Sequence, residues 1–265
     1  PASGVRLPSG GPVPDAVGLR RALASGQVSI DHLDNTIEAL VPEDQLPAGG
    51  GGLFGVGDLL DRVDMTLLPQ LVEDTMGAGA WMVPTMVLWE TVFFGDRSAA
   101  ELRAARPEVR YMPPETVEQW ERVVDERAAA ADPEANRRVA ELRRQILRAL
   151  HEGGVPIVMG TDSPQIFSVP GFSVHHEMAL WVEVGMAPYE VLEAGTRRVA
   201  EYFDALDDFG TIEIGRRADL LLLTGNPIDD VANVARRGGV MVNGNWWSED
   251  RIQERLAGIA QFYGN

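Results

Sequence analysis

Apolar and polar positions alternate between two textures along this chain, and the alternation predicts an architecture. Asp15 opens a stretch in which Val17, Leu19, Ala22 and Leu23 make one helical stripe closed at Gly26; residues 28–30 then read as a short strand with His32 just beyond its end. A second helix is predicted over 65–76, stopped at Gly77 and Gly79, and residues 80–88 are apolar enough for a strand buried on both faces. Asp132 and Pro133 supply the cap and first position of a third helix, whose stripe runs through Val139, Leu142, Ile146 and Leu150 to Gly153 and Gly154. Residues 155–159 make a third buried strand, which ends in Gly160-Thr161-Asp162-Ser163.

Other stretches break this rhythm. The glycine cluster from Gly49 to Gly57 predicts a functional or mobile loop, and the charged, proline-punctuated residues 89–131 predict a helical insertion outside the core, with helices at 98–105 and 114–131. After Ser163 come helical patterns at 174–184, 188–194 and around 198–203. Short strands are then predicted at 211–213, 218–223 and 240–242, with Asn243-Gly244 as a two-residue hairpin and a closing helix over 249–262. Buried strands alternating with helices, each followed by polar residues, predict an α/β fold: a partial TIM-type (β/α) barrel holding C-terminal strands only, followed by a small C-terminal β unit. The expected division is 1–205 for the barrel portion, with its insertion at about 89–131, and 206–265 for the β unit and closing helix. Only three or four strand–helix units are legible, whereas a closed barrel takes eight.

Charge narrows the partners. With 23 basic against 40 acidic residues the net charge is -17, which repels nucleic-acid phosphates and anionic membrane surfaces, and no run of about twenty apolar residues is present to span a bilayer. There is no cysteine and every basic residue is arginine, so thiolate and lysine chemistry are excluded and metal ligands must come from imidazole and carboxylate. The opening Pro1-Ala2-Ser3-Gly4, without an initiator Met, gives the expectation that the chain is cut from something longer.

Two residues stand out chemically. Asp162 follows an apolar strand, with Gly160 allowing close backbone approach and Thr161 and Ser163 as hydrogen-bond partners; the competing reading is a turn or helix-cap aspartate. His32 alone reads more readily as a structural histidine than as a ligand. Together, on the same face of one sheet, a histidine and an aspartate are ligands suited to zinc or manganese.

Several segments, in order, resemble the amidohydrolase superfamily, in its imidazolonepropionase-like and Xaa-Pro-dipeptidase-like branch. Ser29-Ile30-Asp31-His32-Leu33 resembles that family's sixth strand with its metal-binding histidine, Ala80-Trp81-Met82-Val83-Pro84-Thr85 its seventh, and Gly160-Thr161-Asp162-Ser163 its eighth-strand metal aspartate. Gly210-Thr211-Ile212-Glu213-Ile214-Gly215, Ala218-Asp219-Leu220 and Gly225-Asn226-Pro227 resemble its return into the small β domain. The resemblance implies a hydrolase of amide, cyclic amide or dipeptide carbon–nitrogen bonds that uses a divalent metal, zinc first, with manganese or iron as other candidates. His32 and Asp162 would be metal ligands, and Asp162 would also carry the proton from water to the leaving nitrogen. His175, His176 and Glu177 would lie in a loop that touches substrate, or, in the plainer reading, at a solvated helix start.

The departures from the family pattern matter equally. There is no His-x-His pair and no lysine, and Pro12 stands where the fifth-strand histidine is expected. Two ligands are too few for a catalytic zinc, which takes about three from protein. Two expectations follow: a C-terminal portion that is inactive alone and needs a missing N-terminal half or a homo-oligomer partner, or a catalytically dead relative serving as a binding or oligomerisation module.

Overall fold

The computed structural model describes residues 9–47 and 55–264, so Pro1-Ala2-Ser3-Gly4 and most of the predicted glycine loop lie outside the described residues. Along the chain run β1 (Gly10–Gly11), α1 (Leu19–Ala24), β2 (Ser29–Asp31), α2 (Leu68–Ala78), β3 (Trp81–Val83), the single turn α3 (Met86–Leu88), α4 (Ala99–Ala105), α5 (Pro114–Ala130) and α6 (Pro133–Glu152). After these come α7 (Ser173–Val184), α8 (Pro188–Ala194), α9 (Arg197–Tyr202), β4 (Leu220–Leu223), β5 (Arg237–Val242), β6 (Asn245–Ser248) and α10 (Glu249–Phe262). The chain divides into two compact units, one taking the described residues up to Asp96 together with Asp132–Gly160, the other Arg97–Ala131 with the residues from Thr161 onward.

In the first unit β1, β2 and β3 pair in parallel, in that order, with Gly10 opposite Ser29 and Ile30 opposite Met82. The sheet extends to a fourth segment by one bridge, Met82 to Ile157, through Met82 N to Pro156 O at 2.9 Å and Val158 N to Met82 O at 3.0 Å. Ile30, Met82 and Ile157 thus form one buried row across the sheet. Gly160 closes this strand end, where a Cβ would lie 2.5 Å from Val83 Cγ1, so glycine leaves room for the Val83 side chain. The sheet is small and open, with no barrel closure among the described residues.

One predicted strand is cut short. Residues 80–88 were expected to be extended throughout, but β3 stops at Val83: Pro84 offers no N–H, Thr85 takes φ 47°, and the chain turns into α3 and a π turn, Trp89–Phe93. Met86, Val87, Leu88 and Trp89 are all buried, and a continuous apolar run serves a fully buried helix as well as a buried strand. At α1 the N-cap is Gly18, at φ 74°, rather than Asp15. The third predicted helix is α6, capped by Asp132, whose side chain accepts from the amides of Glu134 and Ala135.

In the second unit the antiparallel sheet β4-β5-β6 has the expected hairpin, with Asn243 at φ 47° and Gly244 at φ 77°, the paired positive values a two-residue turn needs. The predicted strand at 211–213 is absent; those residues are irregular, and Ile212 is exposed. Helix α10 packs on the sheet face bearing Trp247, with Arg251 3.9 Å and Arg255 4.9 Å from the ring centre. Among the described residues, no helix is long and apolar enough to cross a membrane.

Candidate functional site

His32 emerges directly from β2. Its amide still donates to Val83 O at 2.8 Å, continuing the ladder, but its φ of 61° begins a loop in which Leu33 and Asn35 also take the left-handed conformation, at 54° and 56°. Such values are costly for residues with a Cβ and persist only where surroundings fix them. Three contacts do so. Val13 N donates to Asp34 Oδ2 at 3.0 Å, Asn35 Nδ2 donates to Val13 O at 2.9 Å, and Arg143 Nη2, reaching across from α6, donates to His32 O at 2.7 Å. The imidazole is oriented by Thr85, whose Oγ1 lies 2.8 Å from His32 Nδ1.

Beside His32 the first unit encloses a cavity of about 250 Å³, walled by Pro12, Asp34, Glu38, Trp89, Phe94 and Arg143 among others. Arg143, on the buried stripe of α6, lies with its guanidinium 4.8 Å from the Trp89 ring centre. Burial pushes the Asp34 carboxyl up, against the Val13 amide and the charges of His32 and Arg143, which pull it down. Burial also pushes Glu38 up, with Asp15 and Asp34 adding repulsion. Pro12, in this wall, has no side-chain donor atom for a metal.

Asp162 lies in the second unit. It is exposed, with φ 54°, and stands between Thr161 and Ser163, which belong to a knot of four hydroxyls. Ser163 Oγ is 3.0 Å from Thr161 Oγ1, 2.9 Å from Ser168 Oγ and 2.5 Å from Ser173 Oγ, and Ser173 Oγ also donates to Thr161 Oγ1 at 3.1 Å. This knot ties the start of α7 to the loop after Asp162.

The other expected site residues fall in the first turns of α7, and they face different surroundings. Glu177 is fully buried and accepts from Trp181 Nε1 at 2.6 Å. His176 Nε2 is 2.7 Å from Glu108 Oε1. Burial alone would push Glu108 up, but the bond to His176, that to its own backbone, and the charges of His176 and Arg106 outweigh it and hold the carboxyl below its ordinary range. Burial also brings Arg106 down to about 10; its Nη1 donates to Phe167 O at 2.6 Å. His175 is held below the ordinary histidine range, first by burial, then by the charges of Arg237 and His176.

Thr85, Asp34, Glu38, Trp89, Arg143 and Glu108 were not singled out in the sequence. For Arg143 a signal was present: it stands four residues after Val139 and three before Ile146, an arginine on the apolar stripe of its helix. Among the described residues no group of three or more His, Asp or Glu side chains could hold a metal ion. With Pro12 in the wall and Nδ1 of His32 engaged by Thr85, the residues present do not make a self-sufficient metal centre.

The fold is mixed α/β, with a small open parallel sheet in the first unit and an antiparallel sheet in the second. Residues 103–247 match the amidohydrolase family, and the chain belongs to it. An imidazolonepropionase of Caldanaerobacter subterraneus subsp. tengcongensis is 34% identical over 99 residues, 36% of this chain and 21% of that protein. Among solved structures, a bottromycin amidohydrolase superposes with a TM-score of 0.69 at 26% identity, covering 99% of this chain and 55% of that one. A Xaa-Pro dipeptidase with bound methionine in its active site gives 0.56 at 21% identity, covering 93% and 46%. The chain therefore spans about half the length of the structures it resembles.

Proposed function

We propose that this chain is one part of a hydrolase acting on carbon–nitrogen bonds of small amides, cyclic amides or dipeptides, to which it contributes His32 and Asp162. The observation that carries the reading is the fixed histidine at the end of β2: a strained loop, Thr85 and Arg143 hold its ring and carbonyl in place, an arrangement typical of preorganised functional groups rather than of a surface histidine. Family membership supports the reaction class. In this reading Asp162 accepts a proton from the attacking water and returns it to the leaving nitrogen. His175 and His176 contact substrate, and Glu177 anchors Trp181 within α7. A divalent metal, zinc first, would need ligands beyond those described here, supplied by an N-terminal half of similar size or by a partner chain.

The test compares the 265-residue chain alone with the same residues joined to a family-like N-terminal half, assaying N-acyl amino acids and Xaa-Pro dipeptides and measuring bound metal by mass spectrometry. Turnover only in the joined protein, lost in Asp162→Asn, is the expected result; stoichiometric metal and turnover in the chain alone would sink the partial-site reading. Pro12 and the lack of a three-ligand group among the described residues favour a second reading, a binding or oligomerisation module without catalysis. Failure of the joined protein to hydrolyse any of these amides would select it.

A further inference from the structure

The cavity beside His32 brings together polar groups that are only partly satisfied among the described residues. Glu38 is 8% exposed, and among the described residues its carboxylate takes a hydrogen bond only from its own backbone amide. Asp34 receives one, on Oδ2 from Val13. On another wall Trp89, 7% exposed, has its indole Nε1 buried with no acceptor among the described residues. A buried carboxylate and a buried donor each cost free energy until matched. Three acidic groups, Asp15, Asp34 and Glu38, share the cavity with a single guanidinium, that of Arg143, whose Nη2 donates to His32 O and which lies over the Trp89 ring, while its buried Nε, like the indole N–H, meets no acceptor among the described residues.

This combination selects among ligands. An anion would meet three carboxylates. A metal ion would meet no group of three ligands and would leave the indole N–H unmatched. A purely apolar molecule would leave Asp34 and Glu38 with no more than their one backbone bond each. We propose that the cavity binds a small protonated amine bearing a hydrogen-bond acceptor on the adjacent carbon, its ammonium held by Asp34 and Glu38 and its acceptor by the Trp89 N–H. At about 250 Å³ the space suits a ligand smaller than a drug-sized molecule. The inference concerns binding and does not depend on hydrolysis.

Isothermal titration calorimetry on the 265-residue chain, with glycinamide, propylamine and acetamide as probes, tests it. Glycinamide should bind saturably and about tenfold or more tighter than either propylamine, which lacks the acceptor, or acetamide, which lacks the charge. Glu38→Gln should weaken both amines by about tenfold, because it keeps shape and removes charge. Trp89→Phe should abolish the advantage of glycinamide over propylamine while leaving propylamine unchanged. Acetamide binding as tightly as glycinamide, or amine affinity indifferent to Glu38→Gln, would overturn the proposal. The wild-type ranking of the three probes decides by itself if either variant fails to fold.

Discussion

The hydroxyl of Thr85 and Nδ1 of His32, 53 residues apart in sequence, meet at 2.8 Å, and each residue sits in the left-handed region, at φ 47° and 61°. Two strained backbones are thus joined by one side-chain bond where neighbouring parallel strands end. The contact orients the imidazole against the end of the neighbouring strand.

Thr85→Val keeps the branched shape and removes the oxygen. It should lower unfolding free energy by about 1–2 kcal/mol, the cost of leaving a partly buried ring nitrogen without this partner. Urea denaturation measures the loss, and nitrogen chemical shifts of the imidazole should show the tautomer balance of His32 changing. An unaltered midpoint with unaltered shifts would mean that the bond does not orient the ring.

Glu38 gives a prediction of opposite sign. Burial raises its pKa in the fold, so its favourable contribution is complete below the ordinary glutamate pKa of about 4.3 and is lost as pH rises through the raised folded value. At pH 7 the folded protein carries the full burden of that charge. Glu38→Gln should therefore be more stable than wild type at pH 7, and the gain should vanish on acidification below about pH 4. Thermal melts across this range provide the check; a variant less stable at neutral pH would contradict the account.

Glu108 and His175 behave in the reverse manner. Glu108, held below the ordinary range, contributes stability above about pH 4.3 that is lost as pH falls through its lowered folded value. His175, also lowered, makes the unfolded chain the better proton binder from about pH 6.5 down to its folded value, so stability falls on acidification through that window too. Glu108→Gln should cost roughly 1 kcal/mol at pH 7, since His176 is partly exposed, and should remove the lower acid limb. His175→Gln should flatten the upper one. Stability against pH, followed by circular dichroism, separates the two.

Gly160→Ala places a methyl 2.5 Å from Val83 Cγ1 and should destabilise by about 1–3 kcal/mol through overpacking. Val83→Ala in the same chain should return part of that loss, because it vacates the space the new methyl needs. A double-mutant cycle that shows no coupling would refute the close approach.

Much of the fold was legible because its devices are local. Asp132 before Pro133, Asn243-Gly244, and the stripe from Val139 to Leu150 each act within a few residues, and each element formed where expected. The reading failed at 80–88, where every residue from Met86 to Trp89 is buried and periodicity carries no information about helix or strand. It was also silent on groups that act only through distant contacts. Thr85 meets His32 across 53 positions, and Glu108 meets His176 across 68, from inside a segment that reads merely as charged and helical. No local motif marks Asp34 and Glu38; only the cavity sets them apart.

The bond from Arg143 to the carbonyl of His32 spans 111 positions. Parallel neighbours already demand long crossovers, and here the last clamp on the strand end comes from a helix made much later in the chain. Loop closure of that length must precede any return from the contact, so the kinetics of folding should be governed by topology rather than helix propensity. During synthesis the histidine would leave the ribosome with its loop unclamped, exposed to chaperones and proteases, and would acquire its native backbone only once α6 had followed.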